Sequence, residues 1–117
     1  MLHLASNQRY YLYQGPTDMR KGFDSLSGMV TALMQHNPLS GDIYIFFNRR
    51  RNKVKLLHWE GDGFGLYYKR LEKGTYEIPV SLANGSARSM PWQELQFILQ
   101  GVCLQKIKYR LRYKKNA

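Results

Sequence analysis

Cysteine is nearly absent from this chain: Cys103 stands alone, so no internal disulfide braces the fold and no thiolate pair is available to a zinc site. Histidine is also sparse, and His3, His36 and His58 are scattered without metal-ligand spacing. No apolar run approaches the roughly 18 residues that a membrane-spanning helix requires, and no lipidation signal is present. The opening "MLHLASNQRYY" is too polar and too short for a signal peptide, so the expected compartment is the cytoplasm, with no membrane partner. Acids number only 8. No serine or cysteine accompanies a histidine at a recognised spacing, and no glycine-rich loop leads from a strand into a helix as a nucleotide site would need. These absences argue against an enzyme, a metal centre or a bound cofactor.

What is abundant is positive charge. Lys and Arg total 18, giving a formal charge of +10 in 117 residues, an excess that points to a polyanionic partner, with nucleic acid first. The length suits a single domain, 1–117, with a core over about 9–101 and a basic segment 102–117.

"RYYLY" at 9–13 is short, aromatic and strand-like, and "QGPTD" breaks it. Thr17 is the expected N-cap of a helix running to about Gln35, since Phe23, Leu26, Met29, Val30 and Leu33 form one apolar stripe. After "HNPLSGD" come strand candidates at 42–48, 53–60 and 64–72, separated by connections so short that they force antiparallel hairpins. "TYEIP" at 75–79 is a fourth candidate, and "VSLANGSARS" reads as a loop with a short extended piece. A second helix is expected from near Ser89, with Pro91 in its first turn and Gly101 at its end. The expected fold is therefore α+β: an antiparallel sheet of four to five strands, two helices on one face, and a basic C-terminal tail.

Three constellations carry the charge. In "GPTDMRKGFD", Arg20 and Lys21 fall in the expected first helical turn and oppose the helix dipole, at about 0.3–1 kcal/mol each. Two offsets are open: local pairing with Asp18 and Asp24, with Asp24 four residues beyond Arg20, or a bound phosphate. The second constellation is Arg49, Arg50, Arg51, Lys53 and Lys55. A tight turn at Arg51 and Asn52 would set Phe47 opposite Leu56 and Tyr44 opposite Trp59. Ile43, Ile45, Phe47, Val54 and Leu56 would then face the helices, while Tyr44, Phe46, Trp59, Arg50, Lys53 and Lys55 share the other side. If "GDG" closes the next hairpin as a three-residue loop, Tyr67 and Lys69 join that side, and Arg70 follows. Rings among cations on an open sheet suit base stacking and phosphate contact; alternatively another element simply covers the rings. The third is the tail, "LQKIKYRLRYKKNA", with six cations and no acid, in which Lys106, Lys108, Arg110 and Arg112 alternate with apolar residues. "HWEGDG" places His58, Glu60 and Asp62 close together, but Asp62 lies in a glycine turn where Asp is a routine turn former.

The runs "YLYQGPTDMRKGFDSL", "NRRRNKVKLLHWEGDGFGLYYKRLEKG" and "WQELQFILQG", in that order over residues 9 to about 101, resemble the small TnpB-type accessory protein encoded by the second open reading frame of bacterial insertion sequences of family sixty-six. That protein is distinct from the far larger RNA-guided nuclease that shares the TnpB name. One departure is Gly65, where a larger residue is more usual. The resemblance implies a role in DNA transposition beside a separate transposase that performs the strand chemistry. The expected function is accordingly a non-enzymatic accessory that holds DNA through phosphates; the alternative is an adaptor that docks the transposase without recognising DNA itself.

Overall fold

The computed structural model describes residues 5–79 and 86–101. Its elements run β1 (Tyr10–Pro16), α1 (Phe23–Ala32), β2 (Ile43–Phe47), β3 (Lys53–Trp59), β4 (Phe64–Arg70), β5 (Ala87–Met90) and α2 (Trp92–Gln100). The strands form one five-stranded sheet in the order β4-β3-β2-β1-β5. Strands β2, β3 and β4 pair as successive antiparallel hairpins, as their short connections require. Strand β1 instead lies parallel to β2, with α1 as the crossover, and β5 pairs antiparallel on its other side. The α+β class is therefore realised in a mostly antiparallel sheet with one parallel pair.

The helices do not share a face. Ile43, Ile45, Phe47, Val54 and Leu56 pack with Leu95 and Ile98 of α2. Tyr44, Phe46 and Leu57 pack on the opposite side with Leu26 and Val30 of α1 and with Met34 just beyond it. The cause is the two-residue side-chain period of a strand. All five residues of β2 are apolar and all are buried, so this central strand needs a cover on each side, and each helix supplies one. At about 1.5–3 kcal/mol for each fully buried large side chain, leaving either face of β2 in water would cost an amount comparable to much of a domain's usual net stability of about 5–15 kcal/mol.

Several local expectations are corrected. Helix α1 starts at Phe23 with Gly22 as its N-cap, not at Thr17, and ends at Ala32. Thr17 is buried, and its N–H donates to the Phe47 carbonyl at 2.8 Å, extending the β1–β2 contact. "TYEIP" forms no strand: Tyr76 donates its N–H to the Arg51 carbonyl at 2.6 Å and packs its ring 5.4 Å from Phe47. The fifth strand is "ARSM", so Ser89 pairs opposite Tyr11, and Pro91 caps α2 from outside its first turn. Gly101, with φ of 78°, closes α2 in the left-handed conformation that glycine adopts without steric cost.

Candidate functional site

The segment between β1 and α1 is a folded loop, not the first turn of a helix. Asp18 organises it: one carboxylate oxygen accepts the Arg20 backbone N–H at 2.9 Å, and the other accepts from the Arg20 guanidinium at 2.6 Å. Arg20 thus pairs with Asp18 and not with Asp24, and it lies ahead of the helix, where the dipole argument no longer applies to it directly. These bonds hold the Asp18 carboxyl well below the usual carboxylate range, at about 2. The Arg20 side chain remains 91% exposed. Lys21 makes no side-chain ion pair among the described residues.

Beneath this loop lies Lys55, which is buried in the middle of β3. Its ammonium donates to the Met19 carbonyl at 2.7 Å and to the Lys21 carbonyl at 2.8 Å, and it sits 4.6 Å from the centre of the Tyr68 ring. An ammonium has three donors. Two serve the loop and one is left for the ring face, a cation–π arrangement. Burial lowers the Lys55 pKa, with the Asp18 charge acting in the opposite direction. Lys55 is accordingly a clamp within the fold rather than an outward cation.

The β2–β3 connection is a five-residue loop, 48–52, braced by Asn48. Its side-chain oxygen accepts the backbone N–H groups of Asn52 and Lys53 at 3.0 and 2.9 Å, and its amide donates to the Asn52 side chain at 2.7 Å. The register is Phe47 opposite Val54 and Tyr44 opposite Leu57, two residues from that expected of a tighter turn. A shift of two preserves every side chain's face, which is why the predicted apolar face survives the error. The next loop spans four residues, with Trp59 opposite Phe64, and here the difference of one residue matters. Tyr68 and Arg70, opposite Lys55 and Lys53, take the α1 side, while Tyr67 and Lys69, opposite Leu56 and Val54, take the other.

The 17–22 and 48–52 loops, with Tyr68, border an open groove of about 610 Å³, lined by Pro16, Thr17, Asp18, Met19, Arg20, Asn48, Arg49, Arg50, Lys53 and Tyr68. It brings together cations from two separate runs of sequence, Arg20 from one and Arg49, Arg50 and Lys53 from the other, against a single acid. Arg49, Arg50 and Lys53 have no ion-pair partner among the described residues. Arg51 adopts φ of 59° and lines a second depression of about 330 Å³ with Gln14, Phe47 and Ile78. Arg70 is paired with Glu72 at 2.8 Å. Lys106, Lys108, Arg110 and Arg112, with the rest of the basic tail, lie outside the described residues. Tyr68 was missed as a groove residue because the length of the "GDG" loop decides its side, and Lys55 was read as an outward DNA-binding cation because "KVKLL" alternates two lysines and the sequence does not show that a loop from elsewhere covers the second.

Among the described residues no group of three His, Cys, Asp or Glu side chains could hold a metal ion. His58 lies on β3, on the side away from α1, and Glu60 follows the end of the strand with its carboxylate beside Gly65, while Asp62 stays in the turn. No described helix is long and apolar enough to cross a membrane.

The arrangement is thus a three-layer α+β fold, helix on sheet on helix, with a cation-lined groove where two loops meet. The chain belongs to the IS66 Orf2 like protein family, whose TnpB_IS66 model matches residues 8–109. It is therefore an accessory-type protein associated with insertion sequences. It is 34% identical over 102 residues to the uncharacterized protein y4hO of Sinorhizobium fredii (strain NBRC 101917 / NGR234), covering 87% of each chain. It is 28% identical over 93 residues to the uncharacterized protein y4jC of the same organism, covering 80% of this chain and 78% of that one. No solved structure matches it significantly.

Proposed function

We propose that this chain binds DNA during insertion-sequence transposition, beside a separate transposase, and that its groove of Arg20, Arg49, Arg50 and Lys53 grips the phosphate backbone. The observation that carries this reading is the convergence of those four cations, three of them without an acidic partner among the described residues, at one open groove. Guanidinium groups present paired donors matched to phosphate oxygens. Lys21, which follows Arg20 on the same loop and makes no ion pair among the described residues, is taken to extend the cationic surface, and the tail cations Lys106, Lys108, Arg110 and Arg112 to add further phosphate contacts. In this reading the chain performs no strand chemistry itself. Asp18, Asp42, Glu72 and Glu94 are each tied to an arginine.

The test is a salt titration of affinity for duplex DNA. Each neutralised phosphate contributes about 0.9 to the slope of log affinity against log salt, so the Arg49→Gln/Arg50→Gln/Lys53→Gln variant should flatten it by up to about 2.7. Affinity for element-end and random duplexes should fall about equally, because phosphate contacts carry no sequence information. An unchanged slope in a folded variant would remove the groove from the DNA interface.

The adaptor reading rests on a different observation: Phe23 at the start of α1, Leu33 at its C-cap and Leu39 beyond it are about half exposed at 48%, 46% and 52%. A DNA mobility shift that appears only when transposase is added would favour docking over direct binding.

A further inference from the structure

We infer that the groove takes an unpaired stretch of DNA, with one nucleobase stacked on Tyr68 and the flanking phosphates held by Arg49, Arg50, Lys53 and Arg20. This deepens the phosphate-binding reading and rests on it. Tyr68 lines the same groove as the cations and is 49% exposed. One face of its ring is occupied by the Lys55 ammonium at 4.6 Å. That ammonium is itself fixed by the Met19 and Lys21 carbonyls, so the ring is held in place with a face left for a ligand. An aromatic already immobilised loses little further freedom on binding. The other rings on this side serve the fold: Tyr44 and Phe46 are buried under α1, and Trp59 packs edge-on to Phe64 at 5.0 Å.

Size points the same way. At about 610 Å³ the groove lies within the range of about 300–1,000 Å³ that accepts small-molecule ligands. A nucleotide can lie along this open groove with its base against Tyr68, whereas a duplex, whose bases are stacked on one another, can present only its backbone to it. A stacking ring beside a track of cations is the combination by which proteins hold single strands without reading sequence. Unpaired DNA at the ends of a mobile element during strand transfer has the matching chemistry.

The experiment compares a labelled mixed-sequence single strand with the same strand annealed to its complement, each titrated with the full chain by fluorescence anisotropy. The single strand should bind more tightly. Tyr68→Leu should weaken single-strand binding by roughly five- to one-hundred-and-fifty-fold, the range for loss of one base stack, and duplex binding by less than about twofold. Tyr68→Phe should retain the preference. Tyr68→Trp supplies a second readout that does not depend on a disruptive change: its added emission should be quenched by the single strand and not by the duplex. Equal affinity for both forms, with no effect of Tyr68→Leu and no quenching of Tyr68→Trp, would overturn this inference while leaving phosphate binding intact. Failure to bind either form would overturn both.

Discussion

Lys55, from the middle of a buried strand, donates to the backbone carbonyl of Lys21 at 2.8 Å. A residue that composition counts among the DNA-seeking cations thus serves to hold two others in place, because the loop it clamps carries both Arg20 and Lys21.

Replacing it tests that role. Lys55→Met keeps length and burial but leaves the Met19 and Lys21 carbonyls to water. A hydrogen bond to a charged group is worth about 1.5–3 kcal/mol, and the loop can recover part of that by solvation, so a loss of about 1.5–3 kcal/mol in total is expected in urea unfolding. DNA affinity should fall as well, although the Lys55 side chain is only marginally accessible.

Asp18 has the opposite effect on the groove. Its folded-state pKa, at about 2, is below its unfolded value, so its contribution to stability is fully present above about pH 4 and is lost as pH falls through about 2. Melting temperatures of Asp18→Asn and of the parent chain should therefore differ at neutral pH and converge toward pH 2. The same variant frees the Arg20 charge and should raise DNA affinity a few-fold at low salt, with a steeper salt slope of up to about 0.9.

Phe46 separates packing from stacking. It is fully buried under α1, opposite Lys55, with its ring 6.1 Å from that of Tyr13. Phe46→Ala should cost about 3–5 kcal/mol in urea unfolding. At a temperature where the variant is still folded, its preference between DNA forms should match that of the parent chain.

Gly65 and Glu60 should be coupled. A Cβ at Gly65 would lie 2.5 Å from a Glu60 carboxylate oxygen, so Gly65→Ala must push that flexible side chain aside. In a Glu60→Ala background the obstacle is gone, and the methyl group should stabilise the strand by about 0.5–1 kcal/mol. A double-mutant cycle should give a nonzero interaction between the two positions, whereas strict additivity would show that the contact carries no energy.

How far the sequence could be read depended on which residues a feature involved. Alternation alone separated Ile43, Ile45 and Phe47 from Tyr44 and Phe46, because side-chain period is a local property. What covers each side is not local, and the aromatic side proved to be the seat of α1. The N-cap of α1 was misplaced by five residues, Thr17 instead of Gly22, because three hydrogen bonds specified elsewhere in the chain compete for the segment. The Phe47 carbonyl takes the Thr17 N–H, and Lys55 takes the carbonyls at 19 and 21. The parallel placement of β1 was equally hidden, since a strand followed by a helix can return on either edge. Of the groove, the arginine turn was legible because three consecutive arginines beside an Asn-braced loop must be exposed. Its meeting with Arg20 and Tyr68 depended on register, which one loop residue can invert.

The position of β1 bears on the order of assembly. It is made first, yet it ends between β2 and β5, with Tyr10 opposite both Ile43 and Met90. The two hairpins of β2, β3 and β4 can close from neighbouring residues as the chain leaves the ribosome. The sheet itself stays incomplete until the segment around Met90 has been made, and non-local pairings of this kind are slow to form. A nascent chain stalled before that point would carry β1 with one ladder edge unpaired, and apolar side chains such as Leu12 without the α2 cover, a state suited to recognition by chaperones.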